Sequence, residues 1–120
     1  MFVKNLTDCD EFAALDGCNI RELLHPEKDP ATLPYSLALA RVERGKGTHR
    51  HKLKQTEIYF ILEGSGHMHI DKESREVGKG DVIVIPAGAI QWINNTGTET
   101  LEFIAIVSPP WRAEDDIRLD

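Results

Sequence analysis

The chain is poor in cysteine, has no long apolar run and carries no surplus of basic residues. Its two cysteines, Cys9 and Cys18, lie in a polar leader. Without a secretory context they read as reduced thiols rather than as a disulfide framework. No stretch approaches the roughly 20 apolar residues of a membrane-spanning helix. The opening MFVKNLTDCDEF has acidic residues by its eighth position and no apolar core of signal length, so a cytoplasmic protein with no membrane partner is expected. A net charge of -6 argues against a dedicated nucleic-acid binder, which needs a basic face to displace counterions from phosphates. What remains is ordinary for one soluble domain: 120 residues, 41% hydrophobic and 28% charged, enough to bury a single core.

The pattern divides the chain into three parts. Residues 1–34 show weak periodicity, with a helical turn expected near Asp10–Leu15, a strand or turn over Cys18–Leu24, and Pro26, Pro30 and Pro34 as breaks. This extension is expected to pack across the outside of the domain or onto a partner subunit. Residues 35–108 alternate strands and turns: YSLALARVE, TEIYFILE, GHMHID, SREV, DVIVIPAG, QWINN and LEFIAIVS, separated by GKG, GSG and GKGD. Short strands with Gly and Pro turns and no central helix predict an all-β barrel or sandwich of about eight strands, a jelly roll. DVIVIPAG reads as a buried strand. Residues 109–120 form a C-terminal segment that Trp111, after Pro109-Pro110, pins down, with Glu114, Asp115 and Asp116 as a solubilising acidic end.

The chemistry concentrates in Gly45 to Gly64, GKGTHRHKLKQTEIYFILEG. In a regular strand same-parity residues share a face, so His49, His51, Leu53, Gln55, Glu57 and Tyr59 are expected on one face, with Arg50, Lys52 and Lys54 pointing outward to solvent. Imidazole with carboxylate suits a first-row divalent metal, Zn, Fe, Mn, Ni or Cu, better than Ca or Mg. The alternative is a polar strand face. A second pair, His67 and His69, alternates with Met68 and Ile70. Because apolar side chains on a half-buried strand take the core face, those histidines are expected outside. Trp92 has the opposite parity to Gln91 and is also expected outside the barrel.

Residues 45–95 resemble the two signature motifs of the cupin superfamily. The second motif, glycine, five residues, Pro-x-Gly, two residues, His, three residues, Asn, is met at Gly80, Pro86, Gly88 and Asn95, with Gln91 at the histidine position. The first motif, glycine, five residues, His-x-His, three or four residues, Glu, six residues, Gly, fits in two registers. With His49 and His51 as the pair, the gap to Glu57 is five residues and Glu43 replaces the leading glycine. With Gly45 leading, His51 takes the first histidine position, Leu53 the second, and Glu57 and Gly64 fall in place. His51 and Glu57 belong to both registers; His49 and Gln55 distinguish them.

The resemblance implies a small single-domain cupin of the conserved-barrel type, an all-β double-stranded β-helix with a partly irregular N-terminal extension. It implies a divalent transition metal held by His51 and Glu57 and completed by His49 and Gln91, with Gln55 as the alternative ligand. It further implies Tyr59 as a catalytic hydroxyl in the pocket, a small-molecule ligand and a homodimer. The leading expectation is a metal-dependent enzyme, an isomerase, decarboxylase or dioxygenase, acting on a small oxygenated metabolite such as a sugar or keto acid. A non-catalytic binding or sensing module is the alternative, and a metal-free isomerase with a histidine base the third.

Overall fold

Alternating apolar residues build most strands of the fold. The computed structural model describes residues 1–120, with strands β1 (Glu11–Ala13), β2 (Asn19–Leu24), β3 (Ser36–Val42), β4 (His51–Leu53), β5 (Thr56–Glu63), β6 (Ser65–Ile70), β7 (Glu73–Gly78), β8 (Val82–Ile85), β9 (Ile90–Asn95), β10 (Leu101–Ser108) and β11 (Asp116–Arg118). They form two antiparallel sheets, a six-stranded one ordered β1-β2-β3-β10-β5-β8 and a five-stranded one ordered β11-β4-β9-β6-β7. The only helical pieces are 3-10 turns at Leu6–Asp8 and Ala113–Asp115, so no helix is long and apolar enough to cross a membrane.

The period of two is clearest in β10, where Leu101, Phe103, Ala105 and Val107 are all buried, and in β5, where Glu57, Tyr59 and Ile61 are. Pairing of these strands in register, Val107 opposite Glu57 and Ala105 opposite Tyr59, puts both rows on the inner face of one sheet. Ile93 of β9 and Met68 of β6 face them from the other sheet, within one apolar cluster that also holds Phe103, Ile61, Ile85 and Leu101. The motif carboxylate Glu57 therefore projects from the end of a row that is otherwise core.

Three local expectations change. Asp10–Leu15 is not a helical turn: Glu11–Ala13 is a strand paired with β2, and β2 in turn pairs with β3. The N-terminal extension thus lengthens the six-stranded sheet, because hydrogen bonding along the free edge of β3 satisfies its backbone. Second, β8 is buried on one face only. It is an edge strand, with Ile83 and Ile85 inward and Val82 and Val84 about 60% exposed beside a 40% exposed Phe60. Its unbroken apolar run mimics a strand covered on both sides, and periodicity cannot separate the two. Third, the acidic end is not a solvated tail, since β11 pairs with β4.

Gly64 and Gly80 both have left-handed backbones, φ +86° and +89°, yet their surroundings differ. A Cβ on Gly64 would lie 2.8 Å from the Thr100 carbonyl oxygen, whereas one on Gly80 would meet nothing within 4 Å. Gly64→Ala is expected to destabilise the fold by about 2–5 kcal/mol, from backbone strain and steric overlap together, and Gly80→Ala by about 1–2 kcal/mol from strain alone. Equal losses in chemical denaturation would show that the carbonyl contact does not matter.

Candidate functional site

The motif strand β4 enters the barrel through a one-residue slip. Gly47 bridges Asn94, and the Thr48 N–H donates to the Ile93 carbonyl. His51, however, stands opposite Gln91 rather than one residue further along β9. One extra residue therefore lies between Thr48 and His51, as in a β-bulge. Thr48 and His51 are both buried while His49 is half-buried and Arg50 exposed. The slip takes His49 off the face of His51. Its backbone N–H donates to the Asp16 carbonyl at 2.5 Å, and its ring lies against Gly17, about 3.0 Å from where a Cβ there would sit. The expectation that His49 shares the inner face with His51 is corrected here, because regular alternation does not survive the slip.

His51 and Glu57 are brought together. His51 is 3% exposed and Glu57 7%. The His51 Nδ1 atom lies 3.0 Å from Asp116 Oδ1. An ionised carboxylate only accepts, so Nδ1 carries the proton and Nε2 faces the pocket. Nε2 has no hydrogen-bond partner, and neither has Glu57 Oε1. The nearest charged neighbour of Nε2 is Asp16, whose Oδ2 is 3.9 Å away, too far for a hydrogen bond. Burial pulls the His51 pKa down, but the Asp116 hydrogen bond and the Asp16, Asp116 and Glu57 charges outweigh it and raise it. For Glu57, burial is the largest influence. With the Asp16 and Asp116 charges it lifts the carboxyl to about 8, against the opposing pull of His51 and Gln91.

The other expected members stand behind this pair or beside it. Gln91, 1% exposed, accepts a 3.2 Å hydrogen bond from the Tyr59 hydroxyl on Oε1, and Tyr59 packs on Phe103 with ring centroids 4.2 Å apart. Burial, then the Glu57 charge, raises the Tyr59 pKa, so this phenol stays protonated and donates. Gln55 turns to the C-terminal segment, its Nε2 donating to Asp115 Oδ2 at 2.7 Å and to the Pro110 carbonyl. It leaves the face of Glu57 because Lys54 and Gln55 form the connection between β4 and β5. His67 and His69 lie outside the barrel: His67 pairs with Glu76 at 2.6 Å and His69 stacks on Trp92 at 4.2 Å.

A cavity of about 190 Å³ opens at this end of the barrel, and His51, Glu57, Asp16 and Asp116 all line it. Its walls are largely apolar, among them Ala38, Ala105, Val107 and Trp111. His49, Gln55, Tyr59 and Gln91 do not line it. Asp16 and Asp116 carry no sequence signal of a site role. Asp116 arrives because β11 pairs with β4, and Trp111 Nε1 holds its second oxygen at 3.0 Å. The rigid Pro109-Pro110-Trp111 stop is the one usable pointer, since a pinned tryptophan keeps the residues after it near the barrel. Nothing local marks Asp16.

A divalent metal, which the motif pattern implies, can be tested against these atoms. Two buried acceptors without partners, His51 Nε2 and Glu57 Oε1, are a donor set suited to a borderline transition ion. The carboxylate on Nδ1 is the arrangement that commonly orients a ligating imidazole. Leu53 is buried at a motif ligand position and the Gln91 oxygen is already engaged. No three His, Cys, Asp or Glu side chains form a ready-made metal cluster. The donor chemistry fits an ion, with fewer preset ligands than the motif provides for.

Two facing antiparallel sheets, with a largely apolar pocket at one end that carries His51, Glu57, Asp16 and Asp116, define a jelly-roll β-barrel class. The chain matches the Cupin domain family over residues 38–107 and belongs to that family. An uncharacterized protein of Methanocaldococcus jannaschii is 45% identical over 101 residues, covering 83% of this chain and 80% of that protein. An oxalate-binding protein of Thermotoga maritima is 38% identical over 61 residues, half of each chain. Among solved structures, a polyketide cyclase from Streptomyces resistomycificus superposes with TM-score 0.82 at 19% identity, over 100% of this chain and 86% of that one. The oxalate decarboxylase of Lactobacillus farciminis gives TM-score 0.82 at 21% identity, over 94% of this chain and 34% of that one. Likeness at such identities is likeness of fold.

The Glu57 environment makes a pH prediction for chelator-treated protein. A carboxyl raised from 4.5 to about 8 in the folded state binds its proton more tightly there than in the unfolded chain. Its contribution is fully present below about pH 4.5 and is lost as pH rises through about 8. Glu57→Gln removes that loss. The variant is expected to match the parent near pH 4.5 and to exceed it at pH 9 by on the order of 3–5 kcal/mol, measured by denaturant unfolding. A constant difference across that range would refute the assignment.

Proposed function

We propose that this cupin is a divalent-metal enzyme acting on a small oxygenated metabolite. The observation that carries the reading is the pair of buried acceptors without partners, His51 Nε2 and Glu57 Oε1, aimed into a walled cavity. Burying such groups costs free energy unless a donor or cation satisfies them. The charge balance supports the same reading. Asp16, Glu22, Glu57 and Asp116 line the cavity and no Lys or Arg does. An anionic metabolite of the kind named for the oxalate-binding relative would be repelled by these side chains alone, and a dication reverses the local field.

In this reading His51 and Glu57 hold the ion, and Asp116 fixes the imidazole so that Nε2 is the ligating atom. A bound divalent ion would supply Lewis-acid polarisation of a substrate oxygen and a lowered pKa for bound water. Ala38, Ala105 and Val107 give the pocket an apolar wall. Tyr59 holds Gln91 by its hydroxyl rather than reaching into the cavity. A specific observation favours the second reading, a non-catalytic small-molecule-binding module: Leu53 and Gln91 occupy two motif ligand positions.

Elemental analysis of the purified protein is expected to find about one transition-metal equivalent per chain, and His51→Ala is expected to lose it. No stoichiometric metal in the parent, or full retention in His51→Ala, would overturn the metal reading. Asp116→Asn is expected to weaken Zn affinity by about 10–100-fold through misorientation of His51, read by calorimetric titration. Unchanged affinity would show that the carboxylate does not orient the ligand.

A further inference from the structure

The cavity that His51 and Glu57 border joins two kinds of wall. The barrel supplies the polar part, where His51 Nε2 and Glu57 Oε1 are buried acceptors without partners. The other polar side chains on the wall are engaged elsewhere. Asp116 bonds His51 and Trp111, Asp16 accepts from the Cys18 N–H and thiol, and Glu22 is ion-paired with Lys28 at 2.8 Å. The Ser36 hydroxyl accepts from the Trp111 N–H at 2.9 Å.

The rest of the lining is apolar, and much of it comes from the hairpin β1–β2, outside the residues that match the family. Phe12 stands opposite Ile20, and Ile20 opposite the buried Ala40 of β3. Directly paired residues share a face, so the Phe12 ring lies on the inner side of the extended sheet. Yet Phe12 is 50% exposed and Leu15 58%, although both line the cavity. Large apolar side chains placed this way are surface that the apolar body of a ligand would cover. The cavity volume of about 190 Å³ sets the size of that body. An apolar cavity of about 150 Å³ takes a benzene ring, so one such ring fills most of the space and leaves room for one small head group. No Lys or Arg on the wall answers a carboxylate. The hydroxyls of a sugar would find too few free partners there, and burying them unpaired costs free energy.

We propose that the cavity selects a compact apolar compound, about one benzene ring in size and bearing a single hydroxyl or carbonyl oxygen. The oxygen sits at His51 and Glu57, and the ring lies against Phe12, Leu15 and Ile20. The inference rests on the reading of this cavity as the small-molecule site and narrows its substrate class, excluding sugars and small dicarboxylates.

NMR titration of the metal-free, unmutated protein with 1-propanol, benzyl alcohol, 2-naphthalenemethanol, xylitol and oxalate tests it. Benzyl alcohol is expected to bind at least tenfold tighter than 1-propanol, from the added apolar surface, and to shift the Ala14, Leu15, Ala38 and Ala105 amides. The two-ring alcohol is expected to bind more weakly than benzyl alcohol, because it exceeds the cavity. Affinity that rises steadily to the two-ring alcohol, or xylitol or oxalate binding as tightly as benzyl alcohol, would overturn the proposal. Phe12→Ser is expected to weaken benzyl alcohol binding at least fivefold while its ligand-free thermal midpoint stays close to the parent's, since the ring is half exposed. Unchanged affinity in that variant would equally refute the role of the hairpin. Because the titrations use metal-free protein, the two readings separate. A parent that carries no metal but gives this order of affinities loses the metal reading and keeps this inference, whereas a metal-bearing parent without the order loses this inference alone.

Discussion

The pocket end of the barrel depends on one hydrogen bond, from His51 Nδ1 to Asp116 Oδ1. It joins the shortest motif strand, three residues in β4, to the C-terminal strand β11, itself three residues. Neither is long enough to hold its place alone. Pairing supplies the backbone bonds, and the charged side-chain bond, of a type contributing about 1.5–3 kcal/mol, fixes which way the imidazole points. Because Trp111 grips the other Asp116 oxygen, the orientation of His51 is set by a residue 65 positions away.

That orientation has an electrostatic consequence. Turning Nε2 inward beside Glu57 leaves two buried polar atoms facing a cavity that Asp16 and Asp116 also border. A protein selected for stability alone would fill this end with apolar side chains. Buried charge and unpartnered acceptors lower stability, and they persist where a site needs them. The raised Glu57 carboxyl is the measurable trace of that tension. The rest of the core, Phe103, Ile61, Ile93 and Leu101, is packed apolar surface that sustains it.

Much of this arrangement is legible in the amino-acid sequence. The alternation in TEIYFILE and LEFIAIVS places Glu57, Tyr59 and Ile61 in one row and Phe103 and Ala105 in another, and both rows face inward. Met68 inside with His67 and His69 outside follows from the same rule. The rule fails where a strand is irregular or the chain turns. His49 leaves the row because of one extra residue before His51, and Gln55 because the chain turns there. Val82 and Val84 are apolar yet exposed, since they alternate with the buried Ile83 and Ile85 and point to the outer face of the sheet.

The sequence by itself determined the barrel, its glycine turns and the inward placement of His51 and Glu57 at one end of it. These depend on side-chain alternation and on spacing within about 50 residues, and local pattern encodes such things directly. Only the tertiary structure decided what surrounds that pair. Asp16 and Asp116 belong to segments that look like a leader and a solvated tail. They become pocket walls because the free edges of β3 and β4 bind strands from the two chain ends. Edge pairing is a property of the assembled sheet, satisfied by whichever segment can reach it, and no local pattern names that segment.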